Sequence, residues 1–253
     1  MNGRTTTIAL SLTTAATLLL TLTACGSGDD DKGGQDGKGG SSGKATGSSA
    51  PAAKKKPTKS AAQLALTKSE VPAHTMVEPS DNFVFAKSRE TVKLNKPVCA
   101  PLGYAMSQFP VGDTRDSFVR VAEKKEFDGA FTYVTLATYA PGKAQDAMAD
   151  MTKALSACEG GFTAKGDKAS NVYESVTAET SGTAPTPHAD ESLAFKATTK
   201  YQGDTHTVRT QATRHGDTIA LYFAVDANAF LQSRSGNGEI FPAVVKSQEK
   251  KLN

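Results

Sequence analysis

Apolar positions along the chain follow two periods, one of about 3.6 residues and one of two. Between Lys143 and Cys158, the residues Ala144, Ala147, Met148, Met151, Leu155 and Cys158 fall at i, i+3, i+4, i+7, i+11 and i+14. That spacing puts all six on one face of a helix. Gly160-Gly161 follows at once and stops it as a C-cap does. On the N-terminal side the period changes to two. Ser117–Glu123 alternates loosely, and Ala130–Tyr139 is rich in aromatic and β-branched residues, so both predict strands. Phe127-Asp128-Gly129 supplies the turn between them, and Pro141-Gly142 ends the second. On the C-terminal side a meander is predicted. Ser192–Tyr201 carries Leu193, Phe195 and Ala197 on one face, Gly203-Asp204 turns, and Thr205–Arg214 returns. His215-Gly216-Asp217 turns again, and Ile219, Leu221, Phe223 and Val225 line the core face of a third strand. Connections this short require antiparallel pairing. A last helix starts near Phe241, with Pro242 in its first turn.

The segment before these elements gives weaker signals. Ala61–Leu66 is a short helix candidate, and Thr67-Lys68-Ser69-Glu70 has the spacing of a capping box that Pro72 closes. A short strand is expected over Asn82–Phe85, and Thr91–Pro110 reads as irregular because Pro97, Pro101 and Pro110 interrupt it. Helices and strands therefore come in blocks, with no internal repeat and no Gly/Pro/Ser-rich break from residue 61 to 253. The predicted fold class is α+β: a single domain with an antiparallel β-sheet meander and helices packed on it.

Composition changes the picture only after the chain is divided. The 253 residues carry a formal net charge of +3, but residues 1–60 hold 8 Lys+Arg against 4 Asp+Glu, and residues 61–253 hold 21 against 22. The basic surplus thus lies outside the folding region, and nothing in the charge points to nucleic acid. Residues 1–24 read as an export signal: Arg4 supplies the positive start, and Thr5 to Ala24 holds no charge. The run Leu18-Leu19-Leu20 lies at the centre of its apolar region. Leu22-Thr23-Ala24-Cys25 resembles the lipobox of bacterial lipoproteins, in which small residues fit the signal peptidase and the Cys thiol takes a diacylglycerol. Cys25 is therefore the expected lipidation site, and two acyl chains make attachment durable at about 0.8 kcal/mol per buried CH₂. Residues 25–60 are expected to form a disordered tether, since 26–60 hold nine Gly and six Ser and no large apolar residue. A flexible coil of that length spans roughly 30–35 Å. The Lys54-Lys55-Lys56 run reads as its solvated end. The expected place is the outer face of the cell membrane, reached through a lipid anchor.

Setting Cys25 aside leaves Cys99 and Cys158. In an exported chain an even pair predicts a disulfide, with two buried free thiols as the other reading. No metal or cofactor site is expected, because His74, His188, His206 and His215 are scattered and no third Cys lies near either thiol. Each His reads as a surface or turn residue. Asp190-Glu191 are neighbours without being a dyad, and Arg209 and Arg214 read as part of a solvated hairpin face. No Gly-x-Ser-x-Gly elbow, no Ser-x-x-Lys with its β-lactamase partner motifs and no phosphate loop occurs in the folding region. No catalytic residues are assigned, and the chain is not expected to be an enzyme.

Several stretches resemble the PknH-like extracellular sensor domain, found on bacterial receptor Ser/Thr kinases and in stand-alone actinobacterial lipoproteins. They are Leu64–Pro72, Cys99 with Pro101, the helix Ala147–Cys158 ending in Leu-Ser-Ala-Cys-Glu-Gly-Gly, and the Arg-His-Gly-Asp hairpin before an apolar strand. The resemblance implies an antiparallel sheet with helices and a cleft for a small ligand. This chain departs from the kinase version in having one Cys pair where that version has two, and in lacking a kinase domain. The function expected is that of a non-catalytic, membrane-anchored, extracytoplasmic binding or sensor module for a small molecule or an envelope protein. An exported envelope hydrolase and a scaffold or assembly factor are the alternatives.

Overall fold

The computed structural model describes residues 59–80, 85–126, 128–180 and 185–253, all within one compact unit, Pro51–Asn253. The expected signal segment 1–24, Cys25, nearly all of the tether and all but Phe85 of the strand expected over Asn82–Phe85 lie outside the described residues. Ten strands form one sheet. They are β1 (His74–Val77), β2 (Lys93–Leu94), β3 (Thr114–Lys124), β4 (Ala130–Tyr139), β5 (Phe162–Lys165), β6 (Ser170–Ala178), β7 (Glu191–Tyr201), β8 (Asp204–His215), β9 (Thr218–Asp226) and β10 (Gly236–Asn237). The order across the sheet is β1-β3-β4-β9-β8-β7-β6-β5-β2, with every neighbouring pair on this path antiparallel. The short β10 adds a parallel pairing to β8. The helices are α1 (Ala61–Leu64), α2 (Ala100–Ala105), α3 (Lys143–Ala157), α4 (Ala227–Leu231) and α5 (Pro242–Leu252). The expected α+β class and the single antiparallel sheet are what the structure shows.

The central pair explains the architecture. Strands β4 and β9 lie side by side in register from Ala130↔Asp226 to Thr138↔Thr218, and both are buried on both faces except toward the Ala130–Asp226 end, where Phe131, Phe223 and Val225 are only partly buried. Ile219 and Leu221 point into a core shared with Ala137 and Tyr139 and covered by α2 and α3, where Met148 and Met151 pack. Ala220, Tyr222 and Ala224 point the other way, into a second core with Val134, Leu136 and the Val244 and Val245 of α5. The alternation along β9 identifies the first core. The second needs a helix from the far end of the chain.

Helix α3 occupies the predicted span, and its six predicted face residues are all buried in the first core. Four other regions differ from expectation. Phe162–Lys165 and Ser170–Ala178 are strands, so the meander has five strands rather than three. Only Tyr173 and Val176 of β6 are buried, which leaves its sequence too polar to stand out. Thr91–Pro110 holds β2 and α2, with Pro101 in the first turn of α2, where its missing N–H costs nothing. The four-residue β1 pairs with β3 at the sheet edge. The capping box with both halves made is Ser60–Gln63, at the start of α1. In the Thr67–Glu70 motif, the Glu70 carboxylate accepts from Thr67 N–H, but the segment forms turns without a helix.

The turns follow their residues. The β7–β8 hairpin turns at Gln202-Gly203, one residue earlier than predicted, with φ of +52° and +93°. Such angles suit a two-residue hairpin loop. Gly161 has φ +76°, and a Cβ there would stand 2.0 Å from the Tyr173 carbonyl oxygen, so only glycine lets β5 leave the helix end.

The final helix is latched to the first. Gln248 Nε2 donates to Leu64 O at 2.9 Å, and Lys251 Nζ donates to Ala65 O at 2.7 Å and pairs with Glu70 at 2.8 Å. The hydrogen bond from Lys251 holds the Glu70 carboxyl down at about 2.

Candidate functional site

Helices α2 and α3 cover only half of the first face. They lie over Tyr139, Ile219, Ala212 and Phe195, toward one end of the central strands. The other end of the same strands presents an open apolar floor. Strand pairing fixes its members: Tyr133 on β4 faces Phe223 on β9, and Val225, Val208, Thr199 and Tyr173 continue it across β9, β8, β7 and β6. Phe85, Met106 and Gln108 form one wall, and Ala227, Phe230 and Leu231 of α4 form the opposite one. The resulting groove has a volume of about 350 Å³. Leu231 at its rim is 77% exposed, the most exposed large apolar side chain among the described residues.

The floor is aromatic. Tyr133 lies 6.0 Å from Phe223 and 6.2 Å from Phe131, and Tyr173 lies 5.1 Å from Phe162, all ring centre to ring centre in tilted pairs. Burial pushes the phenols of Tyr133 and Tyr173 up to about 12 each. Both stay neutral at any physiological pH, so they serve as hydrogen-bonding groups and not as bases. The Tyr133 hydroxyl meets the Gln108 side chain, and Asn171 Nδ2 donates to Tyr173 Oη at 3.4 Å. Gln108 sits at φ +66°, held there by Thr135 Oγ1, which donates to its carbonyl at 3.1 Å. The groove is thus an apolar trough with a few neutral polar groups along it, the ordinary make-up of a small-molecule site.

Helix α4 owes its seat to Gly129. Ala227 N–H donates to the Gly129 carbonyl at 2.9 Å, and Asp226 caps the helix by accepting from Ala229 N–H at 3.0 Å. Gly129 has φ +81°, and a Cβ there would stand 2.1 Å from the Cβ of Asn228. Any other residue would push α4 off the groove.

At the end of the groove His206 pairs across the sheet with Thr199 and is buried under Phe230, with ring centres 3.8 Å apart and nearly parallel. This corrects the expectation of a surface or turn histidine. Neither ring nitrogen has a hydrogen-bond partner among the described residues. Burial holds its proton affinity below the usual histidine value of 6.5. Replacing His206 by Phe is expected to raise stability by about 1 kcal/mol, because an unpartnered buried polar group gives way to an apolar one. The sign with pH follows from the lowered affinity. The unfolded chain binds the proton near 6.5 and the folded chain resists it, so the wild type loses stability as pH falls below 6.5. Urea unfolding at about pH 7.5 and about pH 5.5 should show the advantage of His206→Phe widening on the acid side.

The remaining predicted residues are distributed as follows. Cys99 and Cys158 form a disulfide with Cα atoms 5.9 Å apart, joining the start of α2 to the end of α3. His215 lies at the opposite end of β8 from His206, against the buried carboxylate of Glu249, with Nε2 2.9 Å from Oε2 but outside hydrogen-bonding alignment. It too was expected in a solvated turn. Arg214 was read as solvated and is buried: it pairs with Asp190 at 2.9 Å and Glu191 at 2.8 Å, clamping the start of β7 to the β8–β9 turn. Arg209 is half-buried, bonded to Glu179, Asn237 and the Gly238 carbonyl. His74 packs on Phe241 at 4.7 Å, and His188 borders α5 beside Pro185 and Pro187. A wider cavity there, about 690 Å³, touches Glu249, but that carboxylate is already engaged by Thr213, Tyr222 and His215.

Among the described residues, no group of three or more His, Cys, Asp or Glu side chains is placed to hold a metal ion. No described helix is long and apolar enough to cross a membrane. The groove residues escaped sequence reasoning because they are ordinary strand apolars. The one signal was a surplus: β9 carries Phe223 and Val225 beyond the length that a single helix can cover.

No protein-family profile matches the chain. No curated protein matches it. Among solved structures it is similar to the extracellular domain of PknH from Mycobacterium tuberculosis, at 8% identity over 71% of this chain and 80% of that one, with a TM-score of 0.42. It is also similar to an uncharacterised protein from Mycobacterium smegmatis, the Rv0999 ortholog, at 15% identity over 70% of this chain and 85% of that one, with a TM-score of 0.32. Both likenesses are distant.

Proposed function

We propose that this chain is a lipid-anchored extracytoplasmic protein whose folded domain binds an apolar small molecule without transforming it. The observation that carries the binding reading is the half of the first sheet face that, among the described residues, no helix covers. There Phe223 and Val225 stay only partly buried, and Tyr133, Val208 and Tyr173 line the groove beside them. The neutral phenols and amides along the trough orient a ligand, and none of them is poised to donate or remove a proton from it. The anchoring half of the reading rests on Leu22-Thr23-Ala24-Cys25 after an uncharged apolar run, and on the Gly/Ser-rich stretch that follows.

Each half has its own test. Changing Cys25 to Ala should abolish lipid labelling and move the protein from the membrane to the soluble fraction; retention of label would sink the anchor. For the groove, residues 51–253 hold both cores and the disulfide, and so form the unit to purify. N-phenyl-1-naphthylamine should gain fluorescence on binding this unit, and Leu231→Asp should weaken binding several-fold at unchanged melting temperature. Equal binding by the variant would show that the dye sits elsewhere.

A further inference from the structure

The groove does not end at Tyr133. A second cavity, of about 570 Å³, begins on the far side of that residue. Its floor is Phe131 on β4, Val121 and Glu123 on β3, and Val77 on β1. Register places these on the same face as the first groove: Tyr133 is opposite Val121, Phe131 is opposite Glu123, and Val121 is opposite Val77. The two cavities share three lining residues, Tyr133, Ala227 and Leu231. Two of these belong to α4, which therefore stands at the waist of a single trough. The trough crosses seven consecutive strands, β1-β3-β4-β9-β8-β7-β6. Six strand spacings make it about 29 Å long. It is two same-face residues wide where it crosses β3, β4 and β9, about 7 Å along the strands.

We infer that the ligand of this groove is an extended single hydrocarbon chain with a small polar head, lying across the strands beneath the edge of α4. This rests on the binding reading above and names its ligand class. Two features favour a chain over a compact molecule. The trough is far longer than it is wide. Its charged groups lie toward the ends, Lys168 at the β6 end and Glu78 and Glu123 at the β1 end, with the neutral Gln108, Tyr133 and Asn228 between them. Glu78 is paired to Arg120 at 3.1 Å, which leaves Glu123 as the acid facing the trough. An anionic or hydroxylic head therefore belongs at the β6 end.

Chain-length dependence tests the inference. Saturated fatty acids of about eight to about eighteen carbons would be titrated below their micelle concentrations into residues 51–253, each competing with N-phenyl-1-naphthylamine. Each added methylene that enters the trough should tighten binding about fourfold, with the rise continuing past the length that the β6 side alone accommodates. Adamantane-1-carboxylate serves as the compact control and should bind at least tenfold more weakly than the long chains. Ala227→Trp fills the waist and should leave the short acids unchanged while abolishing the gain with length. Leu231→Trp, on an exposed position, gives the same readout if Ala227→Trp does not fold.

Affinity that stops rising at the short acids, equal binding of the compact control, or a length dependence indifferent to both tryptophans would overturn the extended-chain assignment and leave the groove as a site for a smaller molecule. If neither acid, dye nor compact control binds, the binding reading falls as well.

Discussion

Replacing Cys99 and Cys158 together by Ala is expected to lower the stability of the folded region by about 4 kcal/mol. The bridge closes a sequence separation of 59 residues. In the chain-entropy account, opening a loop of this size returns about 14 cal/mol/K to the unfolded chain, which gives that figure at room temperature. The loop it closes matters as much as its length. It contains the whole β3–β4 hairpin and α3, so the bond ties the start of α2 to the end of the helix that packs over the first core. Both half-cystines are fully buried in that core beside Leu102, Met151 and Phe162. Guanidinium unfolding of the double variant, beside the wild type with and without reductant, measures the effect. The reduced wild type and the double variant should lie close together. A loss under about 1 kcal/mol would mean that packing around the two sulfurs holds this corner without the bond.

Replacing Glu249 by Ala is expected to cost about 3 kcal/mol. Glu249 is 5% exposed, on the side of α5 that packs against the second face. Oε1 accepts from the hydroxyl of Thr213 at 2.8 Å and from that of Tyr222 at 3.4 Å, and His215 stands beside Oε2. Burial and the charge of Glu249 together push the Tyr222 phenol well above its usual value, so it remains a donor to the carboxylate. Truncation to Ala strands two buried hydroxyls and opens a cavity. Glu249→Gln keeps an acceptor at Oε1 and should cost about 1 kcal/mol. Tyr222→Phe removes the longer of the two bonds and should cost less than Glu249→Ala. Urea midpoints of the three variants order these contributions. Equal losses for Ala and Gln would show that the negative charge, and not the acceptor oxygen, is what the site needs.

These two positions differ in how readable they were. The cysteine pair follows from counting, once Cys25 is set aside for the lipid. The role of Glu249 does not, because its partners Thr213 and Tyr222 come from β8 and β9, more than twenty residues upstream, and meet it only when α5 folds back across the sheet. The same applies to Arg214. In the sequence it sits beside a turn, which is ordinarily wet, whereas in the fold Asp190 and Glu191 arrive from the start of β7 and bury it. His206 was misjudged for a related reason. It neighbours a tight turn in sequence, but α4, which no hydrophobic period marks in so short a helix, lays Phe230 on top of it.

The sequence by itself determined the elements with strong local periodicity: the α3 face, the β3–β4 hairpin, the β7–β9 meander and the final helix. Only the tertiary structure decided that the sheet has two buried faces, that β5 and β6 extend the meander, and that α3 is too short to cover the face it packs on. The groove is a consequence of that last mismatch. A fifteen-residue helix cannot shield strands that cross seven positions of a sheet, and the apolar surface it leaves bare is a property of no single segment.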